Sequence, residues 1–505
     1  MADNKKKTTR NKIKKSNRKR RKKKINKKRL IIIGVVAVTV VALIVCLTIF
    51  IIKKNTENVP TKIASISDIN VLLTNGDKRS WDEITISNDK GMTWTEDGVA
   101  HNANNGEAIT FSNKRAQGTV IELSPIEAGG RFAIKTGDKG DGYLGTIQLH
   151  YTSDGLQVTN YVPLEEYIKG VICSEMPVRY GLEALKAQAV CARSYVLSKG
   201  GDFAYEEAQA HVDDTVSYQV YGDTWANGDA ITAVEQTAGE VVMTSEGDIV
   251  NTMFYSTSCG YSQTQKAIDF PYLARRYISL SSTDPLKEAG VSVADTEVDT
   301  DKNFEEAFAK YIKNPDENAL ENNMPYFRWE AVVDIPANID EIKSELISEY
   351  SKGNTGDAGT KKVTIDKSLS NNALDKSANS LNKDKFGNFK SMEVKKRSTG
   401  GVITSLSMVF DNGCVIINDE LVIRRILANG LKSLVLNDNS KKDVSSLPSA
   451  AFTFSMEEDG CHIYGGGFGH GCGMSQNAAR AMASEGKNYS EILQFFYKDC
   501  NVGKL

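Results

Sequence analysis

Val162-Pro163-Leu164-Glu165-Glu166-Tyr167-Ile168-Lys169-Gly170-Val171-Ile172-Cys173-Ser174-Glu175-Met176-Pro177 is where this 505-residue chain changes period. Before it, apolar and polar residues alternate in short runs. From Leu164 the apolar residues recur at three- and four-residue spacing, which predicts a helix over Leu164–Cys173. Pro177 and Gly181 mark a break, and a second helix is predicted over Leu182–Ser198. Short strands passing into helices within one region read as a mixed α+β fold.

Outward from this junction, residues 68–160 carry strand signals, among them Ile69–Leu73, Glu83–Ile86, Thr119–Leu123 and Thr146–Tyr151. Residues 228–256 read as a return to strands. Between 281 and 395 the pattern weakens, and Ser351–Asn388, rich in Ser, Asn, Lys, Asp and Gly, reads as a flexible insertion. Gly401–Phe410 and Cys414–Ile417 look like strands, and Arg424–Leu427 suggests a short helix. Gly465–Gly473 is a glycine-dense turn, and the chain closes with two helices near Ser475–Glu485 and Ser490–Lys498.

The N-terminus is of another kind. Residues 1–29 hold seventeen Lys and Arg and one acid, Asp3, with no core-forming run, and are expected to be disordered. Leu30–Ile52 follows as an uncharged apolar stretch, long enough at roughly 1.5 Å per residue to cross a hydrocarbon core of about 30 Å. The basic flank places the N-terminus in the cytoplasm and residues 55–505 outside, after a linker at 53–67. A cleaved signal peptide would have a shorter apolar core and a small-residue cleavage site, whereas Lys53-Lys54 follows here. Setting aside the tail's basic residues, Lys53, Lys54 and Asp3 leaves 43 basic against 63 acidic residues outside. A part this acidic is a poor ligand for nucleic acid and suits an uncharged polymer such as a glycan. Besides Cys46 in the apolar stretch, seven scattered cysteines remain, which is no disulfide framework.

Three segments could carry chemistry. Glu175 stands between an apolar helix end and a proline. A lone Glu is most often a solvated surface residue, but apolar neighbours raise a carboxyl pKa, as a general acid requires near neutral pH. The Ala-rich helix Glu183–Arg193 packs closely, with Gln188 and Arg193 as polar exceptions that either bond the turn or face water. Gly465–Gln476 has neither the dinucleotide nor the P-loop pattern. Its glycines permit close backbone approach and suit a polar, uncharged ligand such as a sugar. His470 in it reads as a ligand-binding, metal-binding or structural residue, and a lone His is usually the last. Phe254–Tyr261 is a hydroxyl-dense strand end. No G-x-S-x-G or H-E-x-x-H occurs, and Cys461, His462, His470 and Cys472 match no zinc spacing.

Taken together these segments resemble the stage II sporulation protein D family, which includes the amidase enhancers. The resemblance rests on Val162–Val171, Ser174-Glu175-Met176-Pro177, Glu183–Arg193, Phe254-Tyr255-Ser256-Thr257-Ser258, Gly469-His470-Gly471-Cys472-Gly473-Met474-Ser475-Gln476, Tyr489–Leu493 and Phe496-Tyr497. It covers about 68–280 and 325–505. It implies a lytic transglycosylase that cuts between N-acetylmuramic acid and N-acetylglucosamine, with Glu175 at the family's catalytic position. One carboxyl protonates the glycosidic oxygen, then acts as base while the C6 hydroxyl closes a 1,6-anhydro ring. It further implies a preference for peptide-stripped glycan and a cell-wall amidase as partner. Substrate would be held by Gln188, Arg193, Tyr255, Ser256, Ser258, His470, Gly471, Ser475 and Gln476. Some members bind zinc through a His after the aromatic pair; here Ser256 follows Tyr255, so neither metal nor cofactor is expected. Cys472 replaces a small aliphatic, and the 281–395 insertion is long for the family. The competing expectations are a non-catalytic amidase enhancer and a cell-wall scaffold.

Overall fold

The computed structural model describes residues 67–505, apart from short stretches at 138, 141, 223–227, 265–269, 282, 292–297, 300–301, 315, 354–359, 368–372 and 377–379. The basic tail, the apolar stretch Leu30–Ile52 and the linker to residue 66 lie outside the described residues, among which no helix is long and apolar enough to cross a membrane.

The period change at Leu164 is where a sheet hands over to helices. A seven-stranded sheet runs in the order Val212–Asp213, Asp68–Leu72, Gly155–Pro163, Thr146–Thr152, Val120–Pro125, Met92–Glu96, Val99–Ala103. Ile147, Leu149 and Tyr151 alternate inward along one strand, the period-two pattern of a half-buried sheet. Gly155–Pro163 passes directly into the acid helix, Leu164–Glu175, which buries Leu164, Tyr167, Ile168, Val171 and Ile172 on one face. The helix stops at Met176, which is extended, as the residue before a proline prefers. The Ala-rich helix, Leu182–Leu197, follows after a left-handed Gly181. Its small residues Ala184, Ala187, Ala189 and Ala192 are all buried. They let it sit centrally against the acid helix, the Gly228–Gln236 helix and both closing helices, Gln476–Ser484 and Tyr489–Phe496.

Residues 228–236, expected as strand, are a helix. Ile231, Thr232 and Val234 favour strands locally, but Ala230, Ala233 and Val234 face the Ala-rich helix at helical spacing, and burial outweighs propensity. Strands resume at Glu240–Met243, paired with Asn501–Lys504, and at Phe254–Tyr255.

The stretch 281–395 is not a simple appendage. Lys302–Lys313 buries Phe304, Phe308, Tyr311 and Ile312 on one face. Trp329–Val333 lies inside a four-stranded sheet, between Leu431–Leu436 and Gly460–Gly465. With a five-stranded sheet that includes Phe389–Arg397, Ile403–Phe410 and Gly413–Ile417, these elements enclose a second core running from Cys259 to Ile463. The first core takes Ile69–Ile278 and then Met474–Cys500, so the chain leaves it, builds the second, and returns. Each of the seven cysteines from Cys173 to Cys500 is a free thiol, and all but Cys173 are buried.

Candidate active site at the return of the chain

The site forms where the chain re-enters the first core. Phe254–Tyr255 pairs in parallel with Met474–Ser475, setting Tyr255 opposite Ser475. The glycine turn must fold tightly to bring these strands together. Gly473 has φ +76°, and a Cβ there would lie 2.0 Å from the Met253 carbonyl oxygen, so only glycine fits. His470 pins the same turn: its Nε2 lies 2.9 Å from the Phe254 carbonyl, and its Nδ1 accepts from the Cys472 N–H at 3.1 Å. Because a carbonyl only accepts, Nε2 carries the proton.

Glu175 occupies the last turn of the acid helix and is partly exposed. The Val220 N–H donates to its Oε1 at 2.7 Å. Desolvation raises its pKa, against the Val220 N–H and the Gln476 side chain, which favour the charged form. Gln476 opens the first closing helix and donates from Nε2 to the Glu175 carbonyl at 3.0 Å and to Gln188 Oε1 at 3.4 Å. Three expected site residues from distant segments therefore meet. Ser475 caps that helix, accepting from the Ala478 N–H. The Ser256 carbonyl accepts from the Asn477 N–H and side-chain amide at 3.0 and 3.1 Å. Asn477 also accepts from the Tyr180 hydroxyl at 2.8 Å, tying the acid turn to the helix.

Other expected residues have different tasks. Arg193 is fully buried, its guanidinium held by both oxygens of Glu165 and by the Glu240 carbonyl. Glu165 and Glu175 lie at opposite ends of a 12-residue helix, about 15 Å apart along its axis, so Arg193 fastens the far end of that helix and does not line the site. His470, assigned to substrate, uses both ring nitrogens on backbone and serves the turn. Gly471 presents its carbonyl to the Gln263 N–H at 2.9 Å. Tyr255 is buried with its ring 5.6 Å from His470, and its hydroxyl has no partner among the described residues. Cys461 and His462 sit on Gly460–Gly465, the strand that leads into the turn, with His462 at the surface beside Asp459. A cavity of about 100 Å³ lined by Arg131, Glu166, Lys169 and Tyr221 contains none of the expected site residues.

Three site residues gave no motif signal. Glu321, from the 281–395 stretch, is fully buried and accepts from the Ser475 hydroxyl at 2.7 Å and from the N–H and hydroxyl of Ser258. Burial pushes its pKa up to about 7, with those bonds opposing. Val220 and Asn477 were likewise unsignalled.

The arrangement is a partly exposed carboxyl on a helical turn, backed by a glycine-pinned strand pair. The stage II sporulation protein (SpoIID) family model matches residues 152–244, and a domain of unknown function (DUF8618) matches 360–473. The amidase enhancer of Bacillus subtilis (strain 168) is 28% identical over 413 residues, 79% of this chain and 49% of that protein. Stage II sporulation protein D of the same organism is 23% identical over 78% of this chain and 90% of its own length. Stage II sporulation protein D of Bacillus amyloliquefaciens is 38% identical over 140 residues, 24% of this chain and 40% of that protein. The chain is thus similar to this family over residues 152–244, and it spans about half the length of the amidase enhancer.

Proposed function

We propose that this protein is a peptidoglycan lytic transglycosylase, anchored in the cell membrane by Leu30–Ile52 with its N-terminus inside, in which Glu175 alone acts as acid and base. The observation that carries this is the setting of Glu175: partly exposed, with desolvation raising its pKa, on a turn fixed by Gln476 and Tyr180–Asn477. Protonated Glu175 gives its proton to the bridging oxygen as the C1–O bond breaks. The carboxylate then accepts the C6 hydroxyl proton as C1–O6 closes. The substrate supplies the nucleophile, so no second carboxylate has to activate water, unlike a two-acid hydrolase.

Digestion of purified, peptide-free glycan strands with the outer part, followed by mass spectrometry, should show 1,6-anhydro ends. A second reading, a non-catalytic amidase enhancer, is favoured by the name of the Bacillus subtilis relative. It prevails if the protein leaves stripped glycan intact but speeds a cell-wall amidase.

A further inference from the structure

We propose that Glu321 is a positioning residue for Glu175: from a turn within the 281–395 stretch it clamps Ser258 and Ser475, and through the Ser475–Gln476 step it sets the acid turn. The bonds form a continuous path. Glu321 Oε1 accepts from Ser475 Oγ at 2.7 Å and from the Ser258 N–H at 3.1 Å. Its Oε2 accepts from the same N–H at 3.2 Å and from the Ser258 hydroxyl. Ser475 caps the helix whose first residue is Gln476, and Gln476 donates to the Glu175 carbonyl. A shift of the Ser475 hydroxyl therefore moves the residue that touches the acid turn.

The turn carrying Glu321 is itself fastened. The Leu320 N–H donates to the Ile278 carbonyl at 3.2 Å, and Asn437 Nδ2 donates to the Asn322 carbonyl at 2.8 Å. Among the described residues Glu321 makes no ion pair. A fully buried carboxyl without a cation is costly, and replacing it by an apolar group with its serines would pack more cheaply. Its geometry matches a specific task instead: an ionised carboxylate is all acceptor, and it faces three donors, one from Ser475 on the returning strand and two from Ser258, three residues beyond Tyr255. The titratable groups facing it are the Tyr255 phenol and the Cys259 thiol, both pushed up chiefly by burial. Cys472 lies beyond Tyr255, and the Arg328 guanidinium bonds the Cys259 carbonyl at 3.0 Å.

The kinetic part of the test rests on the transglycosylase reading; the stability part does not. In the full chain, Glu321→Ala should lower kcat on stripped glycan by on the order of 10–100-fold, as misplaced catalytic geometry does, with KM within about two-fold. Ser475→Ala should lose less, and the double variant no more than Glu321→Ala alone. Glu321→Gln, which mimics the protonated acid, should keep most of the rate and remove an inflection near pH 7 from the kcat profile. The proposal is overturned if Glu321→Ala matches the parent in rate and pH profile, or if the two losses multiply. If Glu321→Ala does not fold, an unchanged profile in Glu321→Gln overturns it. If the parent cleaves nothing, the transglycosylase reading falls, and the clamp is then decided by chemical denaturation of Glu321→Gln, Ser475→Ala and their combination. Strict additivity would rule it out.

Discussion

The turn that carries Glu175 and the turn that carries Glu321 reach the same step of chain, Ser475–Gln476, from distant segments. Glu175 comes from the helix-rich first core, partly exposed, with one backbone N–H on its carboxyl. Glu321 comes from a turn beside Leu320 in the 281–395 stretch, fully buried, with Ser258 and Ser475 filling both oxygens. Burial raises the pKa of each. What separates them is access. A carboxyl that meets solvent can trade its proton with a substrate oxygen, whereas one enclosed by protein donors acts only on the residues that hold it.

Substitutions at the two turns should therefore differ in kind. Glu175→Gln keeps the shape of the turn but cannot give or take the proton, so cleavage should fall roughly 10²–10⁴-fold. Retention on insoluble glycan should survive, and thermal stability should hold or rise slightly, because the amide has no charge to desolvate. A Glu175→Gln protein that cleaves stripped glycan at the parent rate would place the acid elsewhere.

Glu321 should dominate how stability depends on pH. Its folded pKa of about 7 lies above the ordinary 4.5, so the native state holds the proton longer than the unfolded chain. Its contribution is therefore fully present below about pH 4.5 and is lost as pH rises through 7, amounting to roughly 3 kcal/mol at most. Glu175 works in the same direction. Chemical denaturation from pH 4.5 to 8 should show this fall in the parent and a flatter curve in Glu321→Gln. Equal slopes would mean Glu321 does not titrate in that range.

Arg193→Ala probes the far end of the acid helix. It leaves Glu165 unpaired beside the Ala-rich helix, and because Glu165 is about a third exposed the loss should be roughly 2 kcal/mol. The pH profile of cleavage should keep its shape; a displaced profile would return Arg193 to the site. The smallest effect is expected at the helix cap: Ser475→Ala should cost about 1 kcal/mol of stability.

Much of the first core was legible. Leu164 to Ile172 states its helix by spacing alone, Pro177 and Gly181 state the break, and the glycines before Ser475 state a tight turn, because these signals are local. Helical residues 228–236 were not legible, since Ile231, Thr232 and Val234 favour strands until the Ala-rich helix covers their small-residue face. Arg193 and His470 were visible as polar residues in telling places, but residue type does not say which partner a side chain meets. Arg193 met Glu165, and His470 met backbone.

By itself, the sequence determined the α+β junction, the acidic balance beyond residue 54, the turn that bears Glu175 and the family resemblance, all carried by residues close together in the chain. Tertiary structure alone decided that the 281–395 stretch belongs to a second core, and that Glu321 reaches Ser258 and Ser475 across 63 and 154 positions. No periodicity or spacing marks such contacts. They exist because the chain leaves one core, closes another, and returns with its strands set side by side.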